Sequence, residues 1–435
     1  MMDFASFRML KIFGIFLISG VLLYNFYIAE TTKYDAYGDA AEYVSLGVSL
    51  AKVQKYGHLN FEKAGGVIIA LQNDCIKNFN YPFRGHSTWR PPVWPFIIAG
   101  IFLIFGYKLS YLVVFKFLIH IIGIYYFHAS LKLIKIHKLF CLIGAILYGI
   151  SPVWQLYSRV FLSEPITFFI MTLWMYFLIK YLVDGKGFLL QAFLSGILIL
   201  SHPYYIFLPF AIWLILFFNK KLEFRSLILT SLVCGFIVGS WVLRNSVVLE
   251  TSELVLTTSS GAVMAKGWNE DVISKHTNTK GDLANEGLVL ESFSYERKPR
   301  NEVQMKKLYT EATLHFIKEN PDLIIPITMK KLRSAFNPIP ETSKPGILET
   351  GRWIFQTISL LAIVYILIIS KNKLIKSLTL GLVLSTIAIT VVTYSGFRFR
   401  VPQAALELLI IMYALFDIFK RFNLLTSLKI ITTYK

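Results

Sequence analysis

Cysteine is nearly absent from this 435-residue chain: there are three, Cys75, Cys141 and Cys234. So few, so widely scattered, exclude a disulfide framework and a thiolate metal cluster. Cys141 and Cys234 fall inside apolar runs, where a small buried side chain is the expected role. Charge is scarce too, at 16% of residues against 55% hydrophobic ones. With a mean hydropathy of +0.58, that balance excludes a soluble domain, which at this length could not hide so much apolar surface. Internal repeats and low-complexity tracts are also missing. Acid is the rarer charge, 26 Asp and Glu against 44 Lys and Arg, for a formal net charge of +18. In a soluble protein that excess would raise the question of nucleic acid. In a membrane chain it is first a topology signal, and no nucleic-acid partner is expected.

What is present is a series of apolar runs near the length that crosses a bilayer. They fall at 9–29, 109–131, 139–157, 165–183, 188–201, 203–218, 226–243, 353–370, 375–394 and 401–419. The first is too long for a signal-peptide core and no small-residue cleavage site clearly follows it, so it reads as a retained span. A shorter run at 93–106 follows "RPP" and decides the topology. Basic clusters occur at Arg8/Lys11, Lys132/Lys135/Lys138, Lys180/Lys186, Lys220/Lys221/Arg225, Lys371/Lys373/Lys376 and Lys420/Arg421/Lys429/Lys435. If 93–106 does not cross, all six lie on the cytoplasmic side. The expectation is an all-α polytopic membrane protein with about ten transmembrane helices and both termini inside. The 93–106 segment is then re-entrant or interfacial.

This parity places 30–92 and 244–352 outside, as two loops with interfacial helices. It divides the chain into an N-terminal transmembrane module (1–243), a large outer loop (244–352) and C-terminal helices (353–435). In the large loop Leu308, Ala312, Phe316 and Ile317 repeat with helical period until Pro321. Asp322 to Phe336 then reads as an interfacial helix carrying Lys330, Lys331 and Arg333.

The polar groups at the mouths of the spans collect on the same outer side. They are Asp35, Asp39 and Glu42 in "YDAYGDAAEY", Arg90 in "TWRPP", and Arg159 and Glu164 in "SRVFLSEP". His202 in "SHPYY", Arg244 in "WVLRN", and Arg398 and Arg400 in "FRFRVP" complete the set. Arginines there break the positive-inside pattern, and guanidinium forks suit the phosphate oxygens of a lipid headgroup. Carboxylates facing such a pocket could act as general base toward a hydroxyl. Plainer roles remain open at this point. Asp39 could cap a helix starting at Ala40, Asp35 could be a solvated turn residue, and Glu42 could face solvent. Glu164 could favour a helix N-terminus, His202 could be a buried donor, and Arg398 and Arg400 could snorkel to headgroups. Tyr37, Tyr43 and Trp89 suit an interfacial aromatic belt.

Taken in order, these motifs resemble those of the GT-C membrane glycosyltransferases. The branch is that of the dolichyl-phosphate-mannose protein mannosyltransferases and the lipid A aminoarabinose transferases. "GDAAEYVSLGVSLAKVQKYG" is similar to the Asp-x-x-x-Tyr helix, "TWRPPVWPFIIAGIFLIFG" to the Arg/Lys/His-Pro-Pro segment, and "YSRVFLSEPITFFIMTLWMYFL" to the Ser-Glu-Pro span. "ILSHPYYIFLPF" occupies the Arg-Pro or Lys-Pro position, "GSWVLRNSVVLE" resembles Pro-Trp-x-x-Arg-Asn, and "FRFRVPQAALELL" resembles Arg-Tyr-Arg-x-Pro. Ser240 replaces the usual proline and His202 the usual base. The resemblance implies transfer of a sugar from a polyprenyl-phosphate donor to an acceptor (lipid, polysaccharide or protein) at the outer face of a bacterial inner membrane. It implies Asp39 as catalytic base, with Asp35 and Glu164 beside it. Arg90, Arg244, Arg398 and Arg400 would hold the phosphate, with His202 and Arg159 as further contacts. No cofactor is expected and no metal is required, although Asp35, Asp39 and Glu164 could hold a hard cation. The competing class is a polyprenyl-linked sugar transporter, which should show internal symmetry and polar groups at mid-membrane depth.

Overall fold

The computed structural model describes residues 4–31, 38–62, 65–73, 76, 81–274, 285–293, 300–336, 346–394 and 396–422. Helix α1 (Phe4–Thr31) turns large apolar side chains such as Phe13, Phe16 and Leu23 outward, as a lipid-solvated helix does. Helix α2 (Asp39–Val53) packs against α4 (Val93–Phe105). Between them lie β1 (Gly57–Leu59), α3 (Val67–Gln72) and β2 (Phe83–His86). The two strands pair antiparallel, with Gly57 opposite His86. Gly57 is required there, since a Cβ would sit 2.1 Å from the Gly85 carbonyl oxygen. The hairpin departs from the expected helical loop. Strands of three and four residues are too short to carry a readable alternation.

The membrane portion continues with α5 (Leu109–Leu133), α6 (Lys138–Gly149), α7 (Pro152–Ser158) and α8 (Glu164–Asp184). It goes on through α9 (Phe188–Ser201), α10 (Leu208–Phe218) and α11 (Phe224–Val248). The run expected at 139–157 breaks between α6 and α7, because Pro152 lacks an N–H and Ser151 caps the new helix by accepting from the Trp154 amide. The large loop contains α12 (Ser260–Gly267), α13 (Asp271–Ser274), α14 (Leu288–Ser292), α15 (Glu302–Glu319) and α16 (Ile324–Phe336). It builds a core of its own around Ala265, Trp268, Leu308, Ala312, Phe316 and Ile327. The chain returns through α17 (Ile347–Ile368), α18 (Lys373–Val392), α19 (Phe397–Arg400) and α20 (Ala404–Arg421). Helix α20 is buried from Ala404 to Ala414 and packs on α5, α6, α8 and α17.

Among the described residues seven segments are long and apolar enough to cross a membrane, with α6 and α7 together (Lys138–Ser158) counted as one of them. The other three expected spans differ from these. Those at 188–201 and 203–218 form shorter apolar helices, and α20 carries Glu407, Asp417, Lys420 and Arg421. The 93–106 run also forms a short helix, α4, of 13 residues. At 1.5 Å per residue it measures roughly 20 Å, less than the roughly 30 Å hydrocarbon core.

Candidate active site

Gly38, at φ +90°, is the N-cap of α2, and no side chain caps that end. The helix therefore begins at Asp39 rather than Ala40, and Asp39 is not its cap. Its two carboxylate oxygens go elsewhere. Arg90 Nη2 donates to Oδ1, and Arg398 Nη1 donates to Oδ2 at 2.8 Å. Arg90 Nε also donates to Glu42 Oε2 at 2.5 Å, because Asp39 and Glu42 are neighbours on one helical face. Arg398 Nε donates to Glu164 Oε1. The result is a continuous chain of five charged groups, Glu42, Arg90, Asp39, Arg398 and Glu164, drawn from four separate parts of the sequence. Three carboxyl groups alternate with two guanidinium groups along it.

The surroundings fix each member. Glu164 is fully buried at the start of α8, and its second oxygen, Oε2, accepts no hydrogen bond. The Arg90 guanidinium lies 5.7 Å from the Tyr43 ring centroid, and the Tyr43 hydroxyl is 3.2 Å from Ser163 Oγ. The Arg90 carbonyl accepts from the Tyr56 hydroxyl at 2.8 Å. Burial pushes the Asp39 carboxyl up, but the adjacent Arg90 and Arg398 outweigh it and hold the pKa below 3.8. Asp39 is thus ionised at neutral pH and able to accept a proton. While both oxygens are engaged by guanidinium groups it is a weak base.

Three members of this chain, Asp39, Arg90 and Arg398, line a cavity of about 540 Å³. Tyr43, Trp89 and His202 line it too, as do Thr257, Ser259, Ser260, Lys266, Lys306 and Glu286 of the large loop. Tyr43 and Trp89, expected in an interfacial belt, are cavity residues. Burial pulls the His202 pKa down to about 4, with nearby Glu164 opposing and Arg398 and Arg90 reinforcing the shift. His202 is therefore neutral at pH 7, and its Nδ1 has no hydrogen-bond partner.

The other expected site residues lie apart from that lining. Arg159 donates to Asn25 Oδ1 from Nε at 3.0 Å and from Nη2 at 2.7 Å. Arg244 stacks over Tyr56 and Trp241, at 5.3 and 5.0 Å from their ring centroids. Arg400 is buried against Glu407. Asp35 lies outside the described residues. Of the three acids suggested for a cation, Asp39 and Glu164 are bridged by Arg398. Among the described residues no three His, Cys, Asp or Glu side chains converge as metal ligands.

A second recess is an open apolar groove of about 550 Å³. Pro91 lines the charged cavity and Pro92 lines the groove. Phe96, Phe115, Ile166, Ile197 and Trp241 form its walls.

No family model matches the chain, and no curated protein matches it either. Two crystal structures of ArnT from Cupriavidus metallidurans are similar over 92% of this chain, at 11% identity. The apo form is covered over 76% of its length with a TM-score of 0.42. The form bound to undecaprenyl phosphate is covered over 77% with a TM-score of 0.39.

Proposed function

We propose that this chain is a membrane glycosyltransferase that moves a sugar from a polyprenyl-phosphate-linked donor to an acceptor hydroxyl at the outer face. The observation that carries the reading is the placement of Asp39 between Arg90 and Arg398 on a cavity wall, with Pro91 lining that cavity and the next residue, Pro92, lining an apolar groove. A base beside two phosphate-binding forks, next to room for a hydrocarbon chain, suits this donor. The motif resemblance along the sequence points the same way.

The proposed reaction is a single displacement. The acceptor oxygen attacks the anomeric carbon while its proton passes to Asp39. The bond from that carbon to the phosphate oxygen breaks, and its electron pair stays on the polyprenyl phosphate. Arg90 and Arg398 stabilise the charge that develops there in a partly dry site, and the anomeric configuration inverts. Donor binding also removes the obstacle to the base. A phosphate that takes guanidinium N–H groups from Asp39 frees a carboxylate oxygen and raises its basicity. A monophosphate leaving group does not require a metal on these grounds.

Supplying membranes with a sugar-labelled polyprenyl phosphate tests the reading. Label should move to an endogenous acceptor with the natural chain and not with Asp39→Asn. Label that crosses the bilayer still attached to the polyprenyl phosphate would instead make this a transporter. The outer-face assignment rests on the basic clusters. In a chain whose Cys75 is replaced, because the same reading puts it outside, Lys135→Cys should therefore resist an impermeant thiol reagent added from outside, and its modification would reverse the orientation.

A further inference from the structure

The turn that carries Arg90, between β2 and α4, has no regular structure, so side chains must hold it. Ser87 and Thr88 in that turn are fully buried. Their donors converge on one carboxylate from the other outer loop, Glu302, the first residue of α15. Ser87 Oγ donates to Oε1 at 2.6 Å and the Thr88 amide to Oε2 at 2.9 Å. Thr258 Oγ1 donates to the same Oε2 at 2.7 Å, and the Thr258 amide donates to the Thr88 carbonyl at 3.0 Å. The Trp89 amide then donates to Ser87 Oγ at 3.2 Å, one residue before Arg90. The base of Glu302 is itself rigid. Asn301 and Gln304 form a reciprocal capping box around it, with bonds of 2.9 and 3.1 Å.

We infer that Glu302 is a positioning residue that registers the two walls of the cavity, Arg90 on one side and Thr257–Ser260 on the other. It stands behind both walls and acts through the turn, so it is not a catalytic group. Three donors meeting two oxygens suit a carboxylate. Glutamine would offer one acceptor oxygen and present an NH₂ group to one of those donors. Ser87 and Glu302 are 215 positions apart, so without this contact the turn before Arg90 keeps only the Thr88–Thr258 bonds to the large loop. The inference rests on the donor reading above.

The test uses the full-length protein in detergent, with undecaprenyl phosphate as binding probe and turnover measured per folded molecule. Glu302→Gln and Glu302→Ala should weaken probe binding and raise the donor KM. The expected loss in kcat/KM is about 10²-fold, typical of a reacting group misplaced by an ångström. A second measurement separates position from charge. The Thr88 and Thr258 hydroxyls are 3.5 Å apart, so Thr88→Cys with Thr258→Cys should form a disulfide that re-ties the walls. In the Glu302→Ala background the oxidised pair should restore binding, and reduction should abolish it again. Full probe affinity in both Glu302 variants, or failure of the disulfide to restore it, overturns the inference. If the natural chain does not bind undecaprenyl phosphate, the donor reading itself falls, and this distinguishes the two failures.

Discussion

Helix α19 carries two arginines two positions apart with opposite surroundings. Arg398 keeps a 19% exposed side chain and reaches Asp39 on the cavity wall and Glu164, which is fully buried. Arg400 is 5% exposed and donates to Glu407 Oε1, from Nη2 at 2.8 Å and from Nε at 3.3 Å. Its Nη1 donates to the Ala335 carbonyl at 3.1 Å, and Gln403 donates to the same Glu407 oxygen at 2.8 Å. Residues two apart on a helix do not share a face, so one guanidinium looks into the cavity and the other into the seam between α16 and α20. An arginine near a membrane face is therefore a ligand candidate only when it lines a cavity itself, together with at least one of its partners. When its partners are sealed in, it is a structural clamp.

Breaking the first surrounding should have the largest effect. Asp39→Asn should cost about 10²–10⁴ in rate with donor still bound, the range for loss of a general base. With Gly38 as the N-cap, helix capping no longer offers a competing explanation for this acid. Equal rates for the two proteins would remove Asp39 from the chemistry. The stability effect has its own pH window. A carboxyl held below its ordinary value contributes stability fully above that value, and loses it as pH falls through the depressed one. The gap in thermal midpoint between the natural chain and Asp39→Asn should be constant from pH 7 to about 4, then close. A gap that narrows between pH 7 and 5 would contradict the ion-paired Asp39.

Breaking the second surrounding should damage the fold rather than the chemistry. Arg400→Met leaves Glu407 buried without its cation, which should cost about 3–5 kcal/mol. Arg400→Met combined with Glu407→Leu should recover most of it, because apolar pairs of similar volume replace buried ion pairs well. Denaturant unfolding of the three proteins decides this, and a mild single variant would show that Glu407 is not dependent on Arg400. Arg398→Lys should act differently, since it keeps a cation for the buried Glu164 and so should cost less in unfolding than Arg400→Met. It should weaken undecaprenyl phosphate binding by about tenfold, since an ammonium cannot reproduce the planar fork. If Arg398→Lys and Arg400→Met gave the same profile of stability and binding, the contrast within α19 would be empty.

Much of this was readable from local pattern. The long apolar runs became helices because length and hydropathy alone define them. The helix through Leu308, Ala312 and Phe316 ends at Glu319, just before Pro321. The outer-face inventory contained Asp39, Glu42, Arg90, Glu164 and Arg398, which the fold joins. It could not separate them from Arg159, Arg244 and Arg400, because residue type and depth are identical and only side-chain direction differs. Arg159 meets Asn25 across 134 positions, and no periodicity encodes such a pairing. Glu302 was invisible for the same reason. It sits in a polar stretch of a loop, where a structural carboxylate and a solvated one look alike.

The smallest effect is expected at His202, and its smallness is the point. If His202 were a cationic phosphate contact, donor binding would weaken as pH rose through 6–7 and the imidazolium was lost. Burial instead keeps its pKa near 4, so between pH 5.5 and 8 the ring is neutral throughout. The free Nδ1 can then accept from, or donate to, a hydroxyl of the bound sugar, depending on its tautomer. The natural chain and His202→Asn should accordingly show parallel pH profiles for donor binding over that range, offset by a few-fold at most. A sugar-linked polyprenyl phosphate is the better probe, because its phosphodiester keeps one charge over that range whereas a phosphate monoester titrates near pH 6. Profiles that diverge below pH 6.5, with the natural chain binding more tightly in acid, would restore His202 as a charged phosphate ligand alongside Arg90 and Arg398.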